Sequence, residues 1–233
     1  MRIAWFTPFT TRSAIGRFSQ YVTAELAKHA EIDLWVDATS GLLPTSLRVL
    51  PYDLALPLNS WWPANHYDLA ICNFGDCLSY HQSIFEFSRH VPFVAILHDF
   101  VMHHFFVAYY YEILKDLNAH LRRMEFFYGD KAKDANQLAR QGSARWVWET
   151  DRVMEFPLFE DCLSGALGAV AHSRFFASRI SSVFPGPVRH IPIAYPADSE
   201  GPVIPRQDLP FPQDRLLLVT VGNVNPNKRI ETV

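Results

Sequence analysis

Short, nearly uninterrupted apolar runs alternate along the chain with stretches in which apolar residues recur every third or fourth position. The runs at 2–7 (RIAWFT), 32–36 (IDLWV), 68–73 (DLAICN), 91–97 (VPFVAIL), 167–171 (LGAVA) and 188–193 (VRHIPI) predict strands, with a further short one at 48–50. Runs of this length, bounded by Pro, Gly or polar residues, suit strands buried on both faces, as in a parallel sheet. Between them, Ile15, Phe18, Val22 and Leu26 mark one helical face, and Tyr80, Ile84 and Phe87 another. RFFASRISSVF, stopped by Pro185-Gly186-Pro187, predicts a third helix. The repeated β-α-β order predicts an α/β fold, a Rossmann-like parallel sheet flanked by helices with the first strand well inside it.

Other stretches are less regular. Phe106, Tyr110, Ile113, Leu117, Leu121, Met124 and Tyr128 keep helical spacing and predict one long amphipathic helix, and residues 130–155, mixed in charge, predict one or two more. Within 38–66, Trp61-Trp62-Pro63 is read as a cap on the core. Residues 195–214 contain five prolines and little periodicity, the composition of a linker. LLLVTVG (216–222) then predicts another buried strand, followed by a loop and the start of a helix. The predicted organisation is a domain over 1–194, a Pro-rich linker over 195–214, and over 215–233 the beginning of a second Rossmann-like domain. An isolated strand at 216–222 would be an exposed edge, so it is expected to be disordered, to fold onto the first domain, or to self-associate by pairing with another copy.

Composition narrows the possible functions. With 49% hydrophobic and 19% charged residues over 233, the chain can bury a sizeable core. A formal net charge of -3 argues against a general nucleic-acid binder. Cys72, Cys77 and Cys162 fit no metal-ligand spacing and read as reduced thiols. MRIAWFTPF lacks the charged-then-apolar layout of a signal peptide, and no apolar run reaches the roughly 18 residues of a membrane span. A cytoplasmic protein is expected. Arg122, Arg123, Lys131, Lys133, Arg140 and Arg145 leave peripheral membrane contact open, although their pattern alone favours a solvated helical face.

Candidate chemistry collects at strand ends, where open α/β sheets bind ligands. The strand FVAIL runs directly into His98-Asp99, with His103 and His104 close behind. His98 beside Asp99 would suit a general-base pair. Asn73 ends the DLAICN strand, His172-Ser173 follow LGAVA, and Ser13 is placed to cap the first helix ahead of Ala14, Ile15 and Gly16. No G-x-G-x-x-G is present, so a dinucleotide site is not supported. The four residues His98, Asp99, His103 and His104 could ligate zinc or iron, but no further acidic or histidine cluster completes such a site. Ser173 lacks the surroundings of a nucleophilic serine and reads better as a helix cap.

The ordered set RIAWFTPFTTRSAIGRFS, FVAILHDF, AVAHSRFFA, IPIAYP and LLLVTVGNVNPNKR resembles the amino-terminal domain of a GT-B fold retaining glycosyltransferase, close to glycosyltransferase family 4. The resemblance covers nearly the whole chain, although each motif alone is short. It implies transfer of a sugar from a nucleotide diphosphate to a glycan, lipid-linked or other acceptor, without a bound metal or other cofactor. In that picture Ala14, Ile15 and Gly16 lie by the donor diphosphate, Lys228 matches a phosphate-binding lysine, and His98 sits beside the donor sugar with Asp99 next to it. Ser13, Asn73, His172 and Ser173 fall on the acceptor side or in the cleft. Asn223 replaces an arginine usual in the family, and Ile15-Gly16 replaces a glycine pair. The family's paired glutamates would lie beyond Val233, so these 233 residues alone are expected to lack transferase activity. A non-catalytic Rossmann-like binding or scaffold module and a GT-B sugar-nucleotide epimerase remain alternatives, since fold alone does not separate them.

Overall fold

The computed structural model describes residues 1–37, 40–63, 65–194 and 204–217. It divides into two units, Met1–Tyr195 and Pro196–Val233. In the first, the strands β1 (Arg2–Phe6), β2 (Glu31–Val36), β3 (Arg48–Pro51), β4 (Leu69–Phe74), β5 (Phe93–Leu97), β6 (Ala166–Ala171) and β7 (Val188–His190) form one sheet in the order β3-β2-β1-β4-β5-β6-β7. Every pairing is parallel. The α/β, Rossmann-like parallel sheet expected from the sequence is therefore present, with β1 inside it. The strand order reverses direction between β1 and β4, and at such a switch point the loops diverge to leave a crevice.

Successive strand residues face opposite sides, so each strand contributes to two cores. Ala4, Phe6, Cys72, Phe74, Phe93, Ala95, Leu97, Ala169 and Ala171 lie in one core. With them pack residues of α3 (Leu78–Ser88), α4 (His103–Ala108), α5 (Leu117–Tyr128) and α7 (Arg174–Ser181). Ile3, Trp5, Leu34, Ile71 and Ile96 face the other side, where Phe18, Val22 and Leu26 of α1 (Ala14–Leu26) cover them. Burying a large apolar side chain contributes about 1.5–3 kcal/mol. Phe6 and Trp35, with Tyr52 and Trp62, make a dense aromatic knot at the β1–β2 end. Trp62 does cap this core, and Trp61, which ends the short α2 (Leu58–Trp61), packs beside it.

The single long helix expected over 106–128 is not formed. A π-helical turn over Tyr109–Ile113 follows α4, and Lys115 then adopts φ 54°. The Asp116 side chain accepts from Ala119 N at 2.9 Å and starts α5 afresh. The apolar spacing from Ile113 to Leu117 is itself helical, so periodicity could not reveal the break. A left-handed residue followed by a strong capping residue is what ends one helix and begins another. Downstream, the charged stretch folds into α6 (Asp130–Arg140) and two short 3-10 turns, Val147–Glu149 and Asp151–Glu155. Most of the basic residues here face acidic or amide side chains. Arg122 pairs with Asp116, Arg123 with Asp161, Lys131 with Glu155 and Arg145 with Glu149, while Arg140 donates to Asn118.

In the second unit the described residues hold one 3-10 turn, Arg206–Asp208, with Gln213 donating to the carbonyls of Arg206 and Phe211 at 3.0 and 2.9 Å. The strand expected over 216–222 lies mostly outside the described residues, as do Asn223 and Lys228.

Candidate functional site

The alternation that builds the two cores also places the site. Counting on from Trp5, Ile71, Ile96 and Val170, all on the α1 side, the next residue on that side is Thr7 after β1 and Asn73 in β4. Just after β5 and β6 it is His98 and His172. Strand register makes neighbours of them. Phe6 pairs with Cys72, putting Thr7 level with Asn73, and Leu97 pairs with Ala171, putting His98 level with His172. Four adjacent strands thus end in polar side chains under the first turns of α1.

Hydrogen bonds fix how these groups are presented. The Asn73 amide Nδ2 donates to the Phe6 carbonyl at 2.9 Å, and a carbonyl can only accept. Oδ1 of Asn73 therefore faces His98 Nε2, 3.1 Å away, and Nε2 must carry the proton. His98 Nδ1 is left with a lone pair. The same reasoning applies to its neighbours. His81, from α3, places Nδ1 at 3.0 Å from the Asn73 carbonyl, and His172 places Nδ1 at 2.8 Å from the Ile191 carbonyl. Both are Nδ1–H donors with lone pairs on Nε2, and that of His172 is buried without a partner among the described residues.

The rings are close. His98 and His172 have centroids 4.8 Å apart, and Phe18 of α1 meets both edge-on at 4.7 and 5.1 Å. Burial pushes the His98 pKa well below the usual histidine value, with smaller contributions from His172 and His81. Burial also lowers His172, and it pushes His81 down to about 4. All three rings are neutral at pH 7, and each offers an acceptor. Among the described residues no group of three His, Cys, Asp or Glu side chains is placed to hold a metal ion.

Asp99 does not pair with His98. Consecutive residues in extended chain point opposite ways, and the exposed Asp99 accepts from Asp76 N at 2.9 Å instead. The expected general-base pair is replaced by His98 with Asn73. Asp76 in turn accepts from Phe105 N at 2.7 Å and from His104 Nδ1 at 3.0 Å, so its carboxylate caps α4. His104 belongs to that cap, and His103 is sealed in the core.

The first loop is tightly built. Ser13 is the N-cap, its Oγ accepting from Gly16 N at 3.1 Å, while the amides of Ala14 and Ile15 have no partner among the described residues. A Cβ on Gly16 would lie 2.4 Å from the Pro8 carbonyl, so the loop's own approach to α1 already demands glycine there. Gly75 is pressed in the same way: a Cβ there would lie 2.6 Å from Ile15 and 2.8 Å from His81 Nε2. Ser173 caps α7, accepting from Phe176 N at 3.1 Å, as expected of it.

The structure thus brings together Asn73, His98 and His172, and sets Ala14, Ile15 and Gly16 at the turn after β1, the other side of the switch point. Ser13 and Ser173 are spent as helix caps. Sequence reasoning missed Thr7, Phe18 and His81. Thr7 was accessible from strand alternation alone, whereas nothing in the local pattern marks Phe18 or His81. No known family model matches the chain, and no curated protein matches it.

Proposed function

We propose that the chain is the acceptor-side part of a retaining GT-B glycosyltransferase that moves a sugar from a nucleotide diphosphate to a glycan or lipid-linked acceptor. The observation that carries this reading is the pairing, across one switch point, of a helix start with free amides and a strand-end histidine with a free lone pair. Unpaired amides at a helix N-terminus suit an anion, and a neutral imidazole acceptor suits a sugar hydroxyl. On this reading the diphosphate faces Ala14 and Ile15, and His98 Nδ1 holds a hydroxyl of the donor sugar. The anomeric carbon–oxygen bond to the diphosphate breaks, the acceptor oxygen forms the new bond, and the acceptor proton leaves with the diphosphate.

Lys228 would supply a cation for the leaving group by resemblance alone. No metal is invoked. No described helix is long and apolar enough to cross a membrane. On the transferase reading the reaction would take place in the cytoplasm, at the membrane surface where the acceptor is lipid-linked. The test is a thermal-shift screen of the full-length protein against nucleotide diphosphate sugars. At least one should raise the melting temperature by mass action, and His98→Ala should remove most of the shift. No shift with any nucleotide sugar would overturn the assignment.

A further inference from the structure

We propose that Asn73 is a positioning residue that sets the tautomer of His98 and so decides what the cleft can bind. Three of its polar groups are committed at once: Nδ2 to Phe6 O, Oδ1 to His98 Nε2, and the main-chain carbonyl to His81 Nδ1. The residue is wholly buried, so its amide has no alternative partner in water. Because Phe6 O can only accept, the amide cannot turn over without setting two acceptors face to face and leaving Nδ2 against His98. That outcome costs the desolvation of unpaired buried groups.

The consequence reaches the ligand. With Nε2–H spent on Asn73, His98 offers only the Nδ1 lone pair, and His172, 4.8 Å away ring to ring, keeps a buried Nε2 lone pair with no partner among the described residues. The ring pair, with Phe18 edge-on to both rings, has no N–H left to donate to the cleft. It favours a group that brings its own hydrogens, such as a sugar hydroxyl, and disfavours a carboxylate or phosphate oxygen at that point. The residue would therefore help separate the sugar end of a donor from its phosphate end. This last step rests on the transferase reading, whereas the tautomer does not.

The experiment has two arms. In the first, nitrogen-15 NMR of the histidine rings reads which nitrogen of His98 carries the proton. The expected result is Nε2–H, with the ring neutral across the neutral pH range. In Asn73→Asp the carboxylate repels Phe6 O and holds a doubly protonated ring, so His98 should titrate about one to two pH units higher. The remaining groups facing His98 are His81 and His172, whose own titrations serve as internal controls. Should Asn73→Asp not fold, Asn73→Ser removes the Oδ1 acceptor and should yield a mixture of tautomers.

In the second arm, the ratio of affinities for a nucleotide sugar and for the bare nucleotide diphosphate should fall about tenfold in the variant, the loss of roughly one net hydrogen bond. A wild-type His98 protonated on Nδ1, or a folded Asn73→Asp with unchanged His98 tautomer and titration, overturns the proposal. An unchanged affinity ratio removes its ligand part. Failure of every nucleotide sugar to bind would count against the transferase reading and leave the first arm standing.

Discussion

Two histidine pairs occupy this molecule at nearly the same ring separation, and they do opposite things. His98 and His172 lie 4.8 Å apart at the sheet's carboxyl edge, and His103 and His120 lie 4.9 Å apart in the core between α4 and α5. In the core pair, His103 Nδ1–H donates to the Phe156 carbonyl at 2.7 Å, leaving Nε2 as an acceptor for His120 Nε2–H at 3.2 Å. That chain of donors ties α4, α5 and the 156 segment together, with Trp148 packed on both rings. The edge pair has no bond between its rings, because each proton is used elsewhere. Residue type and spacing are shared, and the direction of the hydrogen bonds makes one pair a staple and leaves the other with two unused lone pairs.

The comparison would break first at His103. His103→Ala opens a cavity and leaves the Phe156 carbonyl and the His120 N–H unpaired, at a cost of about 3–4 kcal/mol. Chemical denaturation should show a large drop in the midpoint, and a loss below about 1 kcal/mol would mean that the staple carries little.

Acid should act through the same pair. Burial pushes His103 down to about 4 and His120 down to about 3, against an ordinary value of 6.5. Unfolded chains therefore bind more protons than folded ones as pH falls below about 6.5, and stability rises with pH through that window. Full stability is present above pH 6.5 and is lost as the pH falls towards about 4. Charging one such ring costs on the order of 3 kcal/mol. Denaturation midpoints between pH 7 and 4 in the wild type and in His103→Phe with His120→Leu measure it. An equally steep decline in the double variant would assign the acid sensitivity to other groups.

A double-mutant cycle sharpens the contrast. His103 and His120 should couple by about 1–2 kcal/mol, and His98 and His172, which share no bond, by less than about 0.5 kcal/mol. Strong coupling between the edge rings would mean that they bond after all. A smaller stability effect than at His103 is expected from His98→Ala, about 1–2 kcal/mol, since it leaves the buried Asn73 Oδ1 without its partner. Its cost should also fall on ligand binding, read by the loss of thermal shift with a nucleotide sugar.

The fold was largely legible in the sequence because a parallel sheet writes itself as short apolar runs. β5 and His98 stood out, since an apolar strand that ends in a polar pair is an unusual local contrast. Three matters were hidden for physical reasons. The His98-Asp99 neighbourhood looked like a catalytic pair, yet extended backbone sends adjacent side chains apart, and the true partner, Asn73, comes from another strand. The helix over 106–128 kept its apolar period through a break that depends on the left-handed turn at Lys115 and the cap at Asp116. His103 and His104 read as one cluster with His98, although one is core and the other joins the Asp76 cap of α4. Sequence adjacency carried no information about the partners of His98, His103 and His104, because each bond is made to a segment distant in the chain.

The placement of Thr7, Asn73, His98 and His172 also bears on how freely such a molecule can change. Phe6, Cys72, Leu97 and Ala171 immediately precede them and point into the opposite core. Each strand end is therefore a junction between a position answerable to packing and one answerable to chemistry. Mutation can explore the second while the first stays fixed. A sheet of this kind offers a row of adjustable terminals on an unchanging base, and new specificities can arise by altering one terminal at a time. Asn73 is the exception: its bonds reach Phe6 in β1, His98 beyond β5 and His81 in α3, so the row's freedom ends there.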